Sequence, residues 1–390
     1  MTELSRLTRA IRTGLETDPA HGAVVPPIYL SSNYTFEELG TPRRYDYTRS
    51  GNPTRDLLGD ALATLEGGAG GVVTTTGMGA ITVVVSALLS PGQTVVVPHD
   101  CYGGTWRLFD SLSRKGAFEV VTVDYTDPAQ IEAALRADKA PTVVWIETPS
   151  NPLLRITDVR AVASAAHEVG ATVVADNTFL SPLLCRPIEL GCDVVLHSTT
   201  KYVNGHSDVV GGAVIGATEE LHEQLAWWAN VLGLTGSPFD SYLTLRGLRT
   251  LHTRMKAHEE NARAVAELIA EHPAVSRALY PGLASHPGHE LATSQQDGYG
   301  AIVSLELAGG EAQVRAFLDG LQCFSLAESL GGVESLVVHP STMTHASMTP
   351  EAREVAGIGD QLLRLSIGIE ATEDLVADVR AGLDRALAAS

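Results

Sequence analysis

The stretch Asp193-Val-Val-Leu-His-Ser-Thr-Thr-Lys201-Tyr-Val-Asn-Gly-His206 is a short apolar run, then three hydroxyl residues, then a lysine ahead of a glycine turn. The run predicts a buried strand, with Lys201 just past its end. Most lysines are solvated surface charges. A lysine behind a strand and a row of hydroxyls can instead be placed for chemistry. Hydroxyls suit a phosphate, and a neutral lysine amine can form an imine with an aldehyde. The surrounding chain has to decide between these readings.

Outward from Lys201, similar apolar runs recur at Gly71–Thr74, Thr94–Val97, Glu119–Val123, Thr142–Ile146, Thr172–Ala175, Asp193–Leu196 and Gly212–Ile215. Helical spacing falls between them at Gly79–Leu89, Gly104–Lys115, Pro128–Ala137 and Val159–Val169. Short valine-rich runs without strict alternation predict strands covered on both faces. Strand–helix alternation predicts a mostly parallel sheet with helices on both sides. Before these runs, Asn52-Pro53-Thr54 predicts a helix start, with leucines at 57, 58, 62 and 65 in helical spacing and Gly67-Gly68 as the stop. Residues 1–49 show no core pattern and read as an extended arm. Residues 50–249 read as the main α/β domain and 250–390 as a smaller α+β domain. In the latter a long helix is expected over His252–His272, strands at Ala301–Leu307 and Leu362–Gly368, and helices at Glu311–Leu318 and Thr372–Ala388.

With 390 residues the chain exceeds one typical domain. A net charge of −19 disfavours nucleic acid and anionic lipid surfaces as partners. No apolar run is long enough to span a bilayer, and the first residues carry no signal-peptide core, so a cytoplasmic protein is expected. The four cysteines, Cys101, Cys185, Cys192 and Cys323, match no metal-finger spacing. His197, His206, His339 and His345 match none either, so no metal is expected and these histidines read as structural.

Several strand ends carry chemistry-bearing groups. Thr74-Thr-Thr-Gly77-Met78-Gly79 joins a strand to a helix, and its free N–H groups can receive an anion; an ordinary tight turn reads equally well. Asp176 ends a buried run, where a carboxylate is costly unless paired. It could hold a pyridine nitrogen protonated, or simply cap the next helix. Tyr102 follows another strand and could stack on a ring. Asn151 lies in a proline-stiffened turn and offers both a donor and an acceptor. Arg364 sits inside the apolar run Leu362–Ser366 and needs a carboxylate partner, from the protein or from a ligand. Lysine amine, hydroxyls, anion turn and strand-end carboxylate together point to pyridoxal 5'-phosphate (PLP), which carries both an aldehyde and a phosphate.

The segments YDYTRSGNPTR, TTTGMGAI, PHDCYGGTWRLFDS, ETPSNPLLRITD, VVADNTFLSPLLCRP, LHSTTKYVNGHSDVVGG, AESLGGVESL and TMTHASM, in this order, resemble the PLP enzymes of cysteine and methionine metabolism, a group that includes the cystathionine synthases and lyases. Within the group, PHDCYGGTWRLFDS, LAWWANVLGLTG and ESLGGVESL resemble the γ-replacing branch. The resemblance implies an aspartate-aminotransferase-like α/β fold (fold type I) with a mostly parallel seven-stranded sheet and a smaller C-terminal α+β domain. It implies that Lys201 forms the imine with PLP and then shuttles protons, with Tyr102 as partner. Asp176 would pair with the ring nitrogen. Ser198, Thr200 and the N–H groups of Gly77 and Met78 would hold the phosphate, completed by Tyr47 and Arg49 of a neighbouring subunit in a homotetramer. Arg364, Asn151 and Ser329 would bind the substrate α-carboxylate. Arg107 would line the approach, and Glu328 and Asp46 would read the amino group of a second amino acid. A non-catalytic ligand-binding relative would tolerate loss of Lys201, Asp176 or Arg364, and all three are present.

Overall fold

A computed structural model describes residues 4–346 and 348–389, so Ser347 of the TMTHASM segment lies outside the described residues. Seven strands form one sheet: β1 (Gly70–Thr74), β2 (Thr94–Pro98), β3 (Glu119–Val123), β4 (Val143–Glu147), β5 (Thr172–Asp176), β6 (Val194–His197) and β7 (Gly212–Gly216). Their order is β1-β7-β6-β5-β4-β2-β3. β7 runs antiparallel to both neighbours, β1 and β6, and the other pairings are parallel. The valine-rich runs are explained by helices on both faces: β2, β4, β6 and β7 are buried along their whole length. β3 departs from the covered-strand expectation. It is the sheet edge, and Glu119, Val121 and Thr122 are exposed.

Helix α1 (Arg6–Arg12) interrupts the expected extended arm, with Ser5 Oγ accepting the Thr8 N–H and Ala10 buried. It packs against α2 (Pro53–Glu66), which Asn52 caps through the N–H groups of Thr54 and Arg55 and Gly67 ends at φ 79°. Seven residues with so few apolar positions give a weak periodic signal, and α1 forms because α2 offers it a surface. Helix α3 (Gly77–Leu88) begins two residues before its expected start. Thr76 caps it, Oγ1 accepting the Gly79 N–H at 2.8 Å. Its core face, Ala80, Ile81, Val83, Val84 and Val85, packs on β6 and β7. Helix α4 (Gly103–Arg114) starts directly after Tyr102.

The smaller C-terminal domain carries β8 (Val275–Leu279), β9 (Ile302–Leu307), β10 (Phe324–Leu326), β11 (Ser335–Val338) and β12 (Leu362–Ser366) in the order β10-β11-β12-β9-β8. Only the β10–β11 pairing is parallel. Helices Leu251–Glu271, Glu311–Leu318 and Thr372–Ala388 pack together on this sheet. One apolar cluster runs from Val96, Val144 and Ala175 of the large sheet to Leu305, Phe317 and Leu365 of the small domain. The loop between β10 and β11 is tied to the Lys201 segment, Val333 N–H donating to the Gly205 carbonyl at 3.0 Å. That tie sets the small domain over the carboxyl ends of β4, β5 and β6, the edge where open α/β sheets take their ligands. Among the described residues no helix is long and apolar enough to cross a membrane.

Candidate active site

Lys201 lies in the turn after β6, its carbonyl accepting the Gly205 N–H at 2.8 Å. Its Nζ donates to Ser329 Oγ at 2.7 Å, across to the small domain. Burial lowers the amine to about 8, aided by the Arg364 charge and opposed by Glu328. The chain's other lysines, Lys115, Lys139 and Lys256, are all exposed. Ser329 has φ 118°, a backbone conformation that costs ~1–3 kcal/mol for a residue with a Cβ. The bond from Lys201 to its hydroxyl, and one from Arg364 Nη2 to its carbonyl at 2.8 Å, hold it there.

A cavity of about 380 Å³ opens above Lys201. At its floor stand the ends of β4 and β5, where Glu147 and Asp176 are register partners. Asp176 Oδ1 accepts the Thr178 N–H at 3.0 Å. Burial raises the Asp176 carboxyl, against the hydrogen bonds from Thr178 and the nearby His197. Burial likewise pushes Glu147 up to about 8, reinforced by Asp176. A buried and a half-buried carboxylate side by side, short of a positive charge, form a ready receptor for a cationic N–H donor.

Beside them, the first turn of α3 presents the Gly77 and Met78 N–H groups to the cavity. A Cβ at Gly77 would lie 3.0 Å from Ser198 Oγ, so glycine is what lets this turn and the Ser198 hydroxyl form one cradle. Thr200 also lines the cavity, its Oγ1 exchanging hydrogen bonds with Gly211: a donation to the carbonyl at 3.2 Å and an acceptance from the N–H at 3.0 Å. Tyr102, 39% exposed, stands on the wall. Its ring lies against Gly104, where a Cβ would come within 2.5 Å of Tyr102 Cε1. Burial raises its hydroxyl, while Arg107 opposes and Glu328 and Asp176 add to the rise.

Opposite, Arg364 on central strand β12 is 1% exposed. Nη1 donates to Asn151 Oδ1 at 2.8 Å, Nη2 donates to the Ser329 carbonyl, and buried Nε has no partner among the described residues. These contacts are all neutral, and burial lowers the guanidinium to about 10. A fixed buried cation with a spare N–H suits a ligand carboxylate. Asn151 is held in turn by His345, whose Nε2 lies 3.1 Å from the Asn151 carbonyl; burial drops His345 to about 4. His197, buried behind Asp176, faces Glu66 Oε1 at 2.6 Å.

One cavity thus brings together Lys201, Asp176, Tyr102, Gly77, Met78, Ser198, Thr200, Asn151, Glu328, Ser329 and Arg364. Asp46, Tyr47 and Arg49 stand outside it. Arg49 lies over the Tyr47 ring at 5.8 Å and donates to the Asn230 carbonyl at 3.0 Å, and Asp46 Oδ1 accepts the Tyr47 N–H at 2.6 Å. Arg107 is exposed in the first turns of α4 and reaches the site only through its charge on Tyr102. Sequence reasoning passed over Thr76, Glu147, Thr178, Phe179, Val210 and Thr344, which also line the cavity. Glu147 was discoverable, because it ends a buried strand just as Asp176 does.

Comparison with known proteins gives the same family from three directions. The model of the family described as "Cys/Met metabolism PLP-dependent enzyme" matches residues 7–384. Cystathionine gamma-synthase of Escherichia coli (strain K12) is 55% identical over 375 residues, 96% of this chain and 97% of that one. The crystal structure of cystathionine gamma synthase from Xanthomonas oryzae pv. oryzae in complex with aminoacrylate and cysteine is 64% identical, covers 100% of both chains and superposes with a TM-score of 0.98. That of cystathionine gamma-lyase from Lactobacillus plantarum complexed with L-serine is 39% identical over 98% of this chain and 100% of the other, with a TM-score of 0.94. The chain belongs to the PLP-dependent enzymes of cysteine and methionine metabolism and has their fold type I architecture.

Proposed function

We propose that this enzyme is a cystathionine γ-synthase. It replaces the γ-substituent of an O-acyl-L-homoserine, O-succinyl-L-homoserine foremost, with the thiol of L-cysteine and releases L-cystathionine and succinate. The observation that carries this reading is the convergence of one partly buried amine, one strand-end carboxylate and one carboxylate-hungry arginine on a single cavity, Lys201, Asp176 and Arg364, in a chain so similar to two γ-synthases.

The residues fit PLP. Bound PLP supplies an aldehyde carbon for imine formation and a protonated ring that takes up electrons. Ser198, Thr200 and the Gly77 and Met78 N–H groups would hold its phosphate, in a cradle that a Cβ at Gly77 would fill. Asp176 would accept from the ring nitrogen, and Tyr102 would lie on the ring face. Lys201 would bear the imine. Once displaced by substrate, its amine, already near neutrality, takes the α-proton and relays protons at the β-carbon, with Tyr102 as partner. Arg364 holds the α-carboxylate with the help of Asn151 and Ser329. The γ-oxygen leaves with its bonding electrons as succinate, and cysteine Sγ, having lost its proton, forms the new carbon–sulfur bond. Arg107 lines the approach, while Glu328 and Asp46 receive the amino group of the incoming cysteine.

Because the neutral amine is the nucleophile, apoenzyme should take up PLP faster as pH rises toward about 8 and level off above it. Stopped-flow growth of the visible absorption band checks the profile; a flat profile would mean that Lys201 is not the group titrating.

The assembly belongs to the same proposal: a homotetramer of two active dimers, in which Tyr47 and Arg49 complete the neighbour's phosphate site. Mixing inactive K201A with inactive R49A should then restore activity, since each mixed dimer regains one intact site. Recovery of none would place Arg49 in its own chain's site.

A second reading, cystathionine γ-lyase, is favoured by the TM-score of 0.94 to a solved γ-lyase. The two reactions differ in whether a thiol adds at the γ-carbon or that carbon takes a proton and the chain is released, water then replacing its nitrogen to give 2-oxobutanoate and ammonia; about 1.4 kcal/mol shifts that partition tenfold. Supplying O-succinyl-L-homoserine with and without L-cysteine, and L-cystathionine alone, separates them. The synthase forms cystathionine faster than it releases 2-oxobutanoate. Rapid cleavage of cystathionine would overturn that assignment.

A further inference from the structure

We infer that Glu147 is a positioning residue which fixes Tyr102 in place, acting as the N-terminal cap of α4 from a separate strand. The inference rests on the reading that Tyr102 lies on the cofactor ring. Tyr102 is the N-cap residue of α4, and its own side chain makes no capping bond. Its N–H donates instead to Glu147 Oε2 at 2.7 Å. The other oxygen, Oε1, accepts Trp145 Nε1–H at 3.2 Å. Trp145 is itself fixed by an edge contact with Phe109, ring centroids 5.3 Å apart.

Two N–H donors from different elements therefore converge on one carboxylate, one donor per oxygen. With each donor on its own oxygen, an amide in the same pose would satisfy one and face the other with its NH₂. In its ionised form the carboxylate also suits the N-terminus of α4, a helix of twelve residues. Cα of Glu147 pairs in register with Cα of Asp176 on the adjacent strand. A rigid line thus runs from the residue assigned to the ring nitrogen, through Glu147, to the residue assigned to the ring face.

The arrangement is costly for folding. Glu147 is 6% exposed beside a second carboxylate, and no cation of the described residues pairs with it. Burial holds the Glu147 carboxyl up at about 8, so an amide of the same shape removes little charge at neutral pH; a positioning role predicts a Tm at or above that of wild type, a structural role a lower one.

The test is E147Q as holoenzyme, alone and combined with Y102A. The amide offers one oxygen and turns an NH₂ toward one of the two donors. The expected result is a Tm equal to or above wild type, kcat lower by about tenfold or more with KM within about threefold, and an altered visible circular dichroism of bound PLP. In the Y102A background E147Q should add almost nothing. Wild-type kcat and dichroism in E147Q, additive losses in the double variant, or failure of E147Q to fold would each overturn the inference. Y102A alone keeps the two levels apart. If it leaves dichroism and kcat unchanged, the reading of Tyr102 fails and the inference with it; if it impairs both while E147Q does not, only the inference fails.

Discussion

Replacing Lys201 with alanine is expected to lower turnover by about four orders of magnitude or more while the protein stays folded. The proposal puts three jobs on one Nζ: bonding the cofactor, taking the α-proton and returning protons further along the substrate. Neighbouring groups cannot substitute, since every other lysine is exposed and Ser329, the partner of Nζ at 2.7 Å, is an ordinary hydroxyl. The fold should tolerate the change because the site gains nothing from a charge it already depresses to about 8. Initial rates with O-succinyl-L-homoserine and cysteine, beside a thermal melt, measure both halves. Residual activity within a hundredfold of wild type would remove Lys201 from the chemistry.

The second large effect is expected of D176N, a loss of about 10²–10³-fold in kcat. Asparagine keeps the shape and an acceptor oxygen but not the charge that, on the proposed reading, holds a ring nitrogen protonated. A loss of that size is about 3–4 kcal/mol of barrier, the lower part of the about 3–5 kcal/mol that losing one member of a buried charged pair costs. Asp176 sits at a strand end with its carboxyl raised by burial, and it shares the floor with Glu147. A cationic ring nitrogen relieves both groups, so D176N should also weaken PLP binding, measured by titrating apoenzyme. The proposed phosphate cradle at Gly77 and Ser198 is untouched, and binding should fall without vanishing. A kcat within about threefold of wild type would contradict the assignment.

The large sheet was legible because its strands are short valine-rich runs, covered by helices everywhere but at edge strand β3, and runs of that kind carry their own signal. The small sheet was half legible. β9 and β12 are central and apolar, whereas β10, Phe324–Leu326, is three residues long with two exposed, and β8, Val275–Leu279, carries Ser276 and Arg277 outward. Such edge strands gain their shape from neighbours far along the chain. In the site, Asp176 announced itself as a carboxylate after a buried run, whereas Glu147, placed in the same way at the end of β4, was passed over. Thr178 and Thr344 did not. A threonine in a loop is commonplace, and only the folded chain sets Thr178 Oγ1 2.9 Å from the Ser198 N–H. Arg364 was visible as a charge in an apolar run, but its neutral partners, Asn151 and the Ser329 carbonyl, come from segments more than thirty residues away.

The most direct test of Lys201 as the cofactor-bearing residue is borohydride reduction of the holoenzyme followed by peptide mass analysis. With only four lysines in the chain, the outcome is unambiguous. The expected result is one stoichiometric reduced pyridoxyl phosphate adduct per chain on the peptide containing Lys201. An adduct on Lys115, Lys139 or Lys256, or no adduct on a yellow protein, would contradict the account.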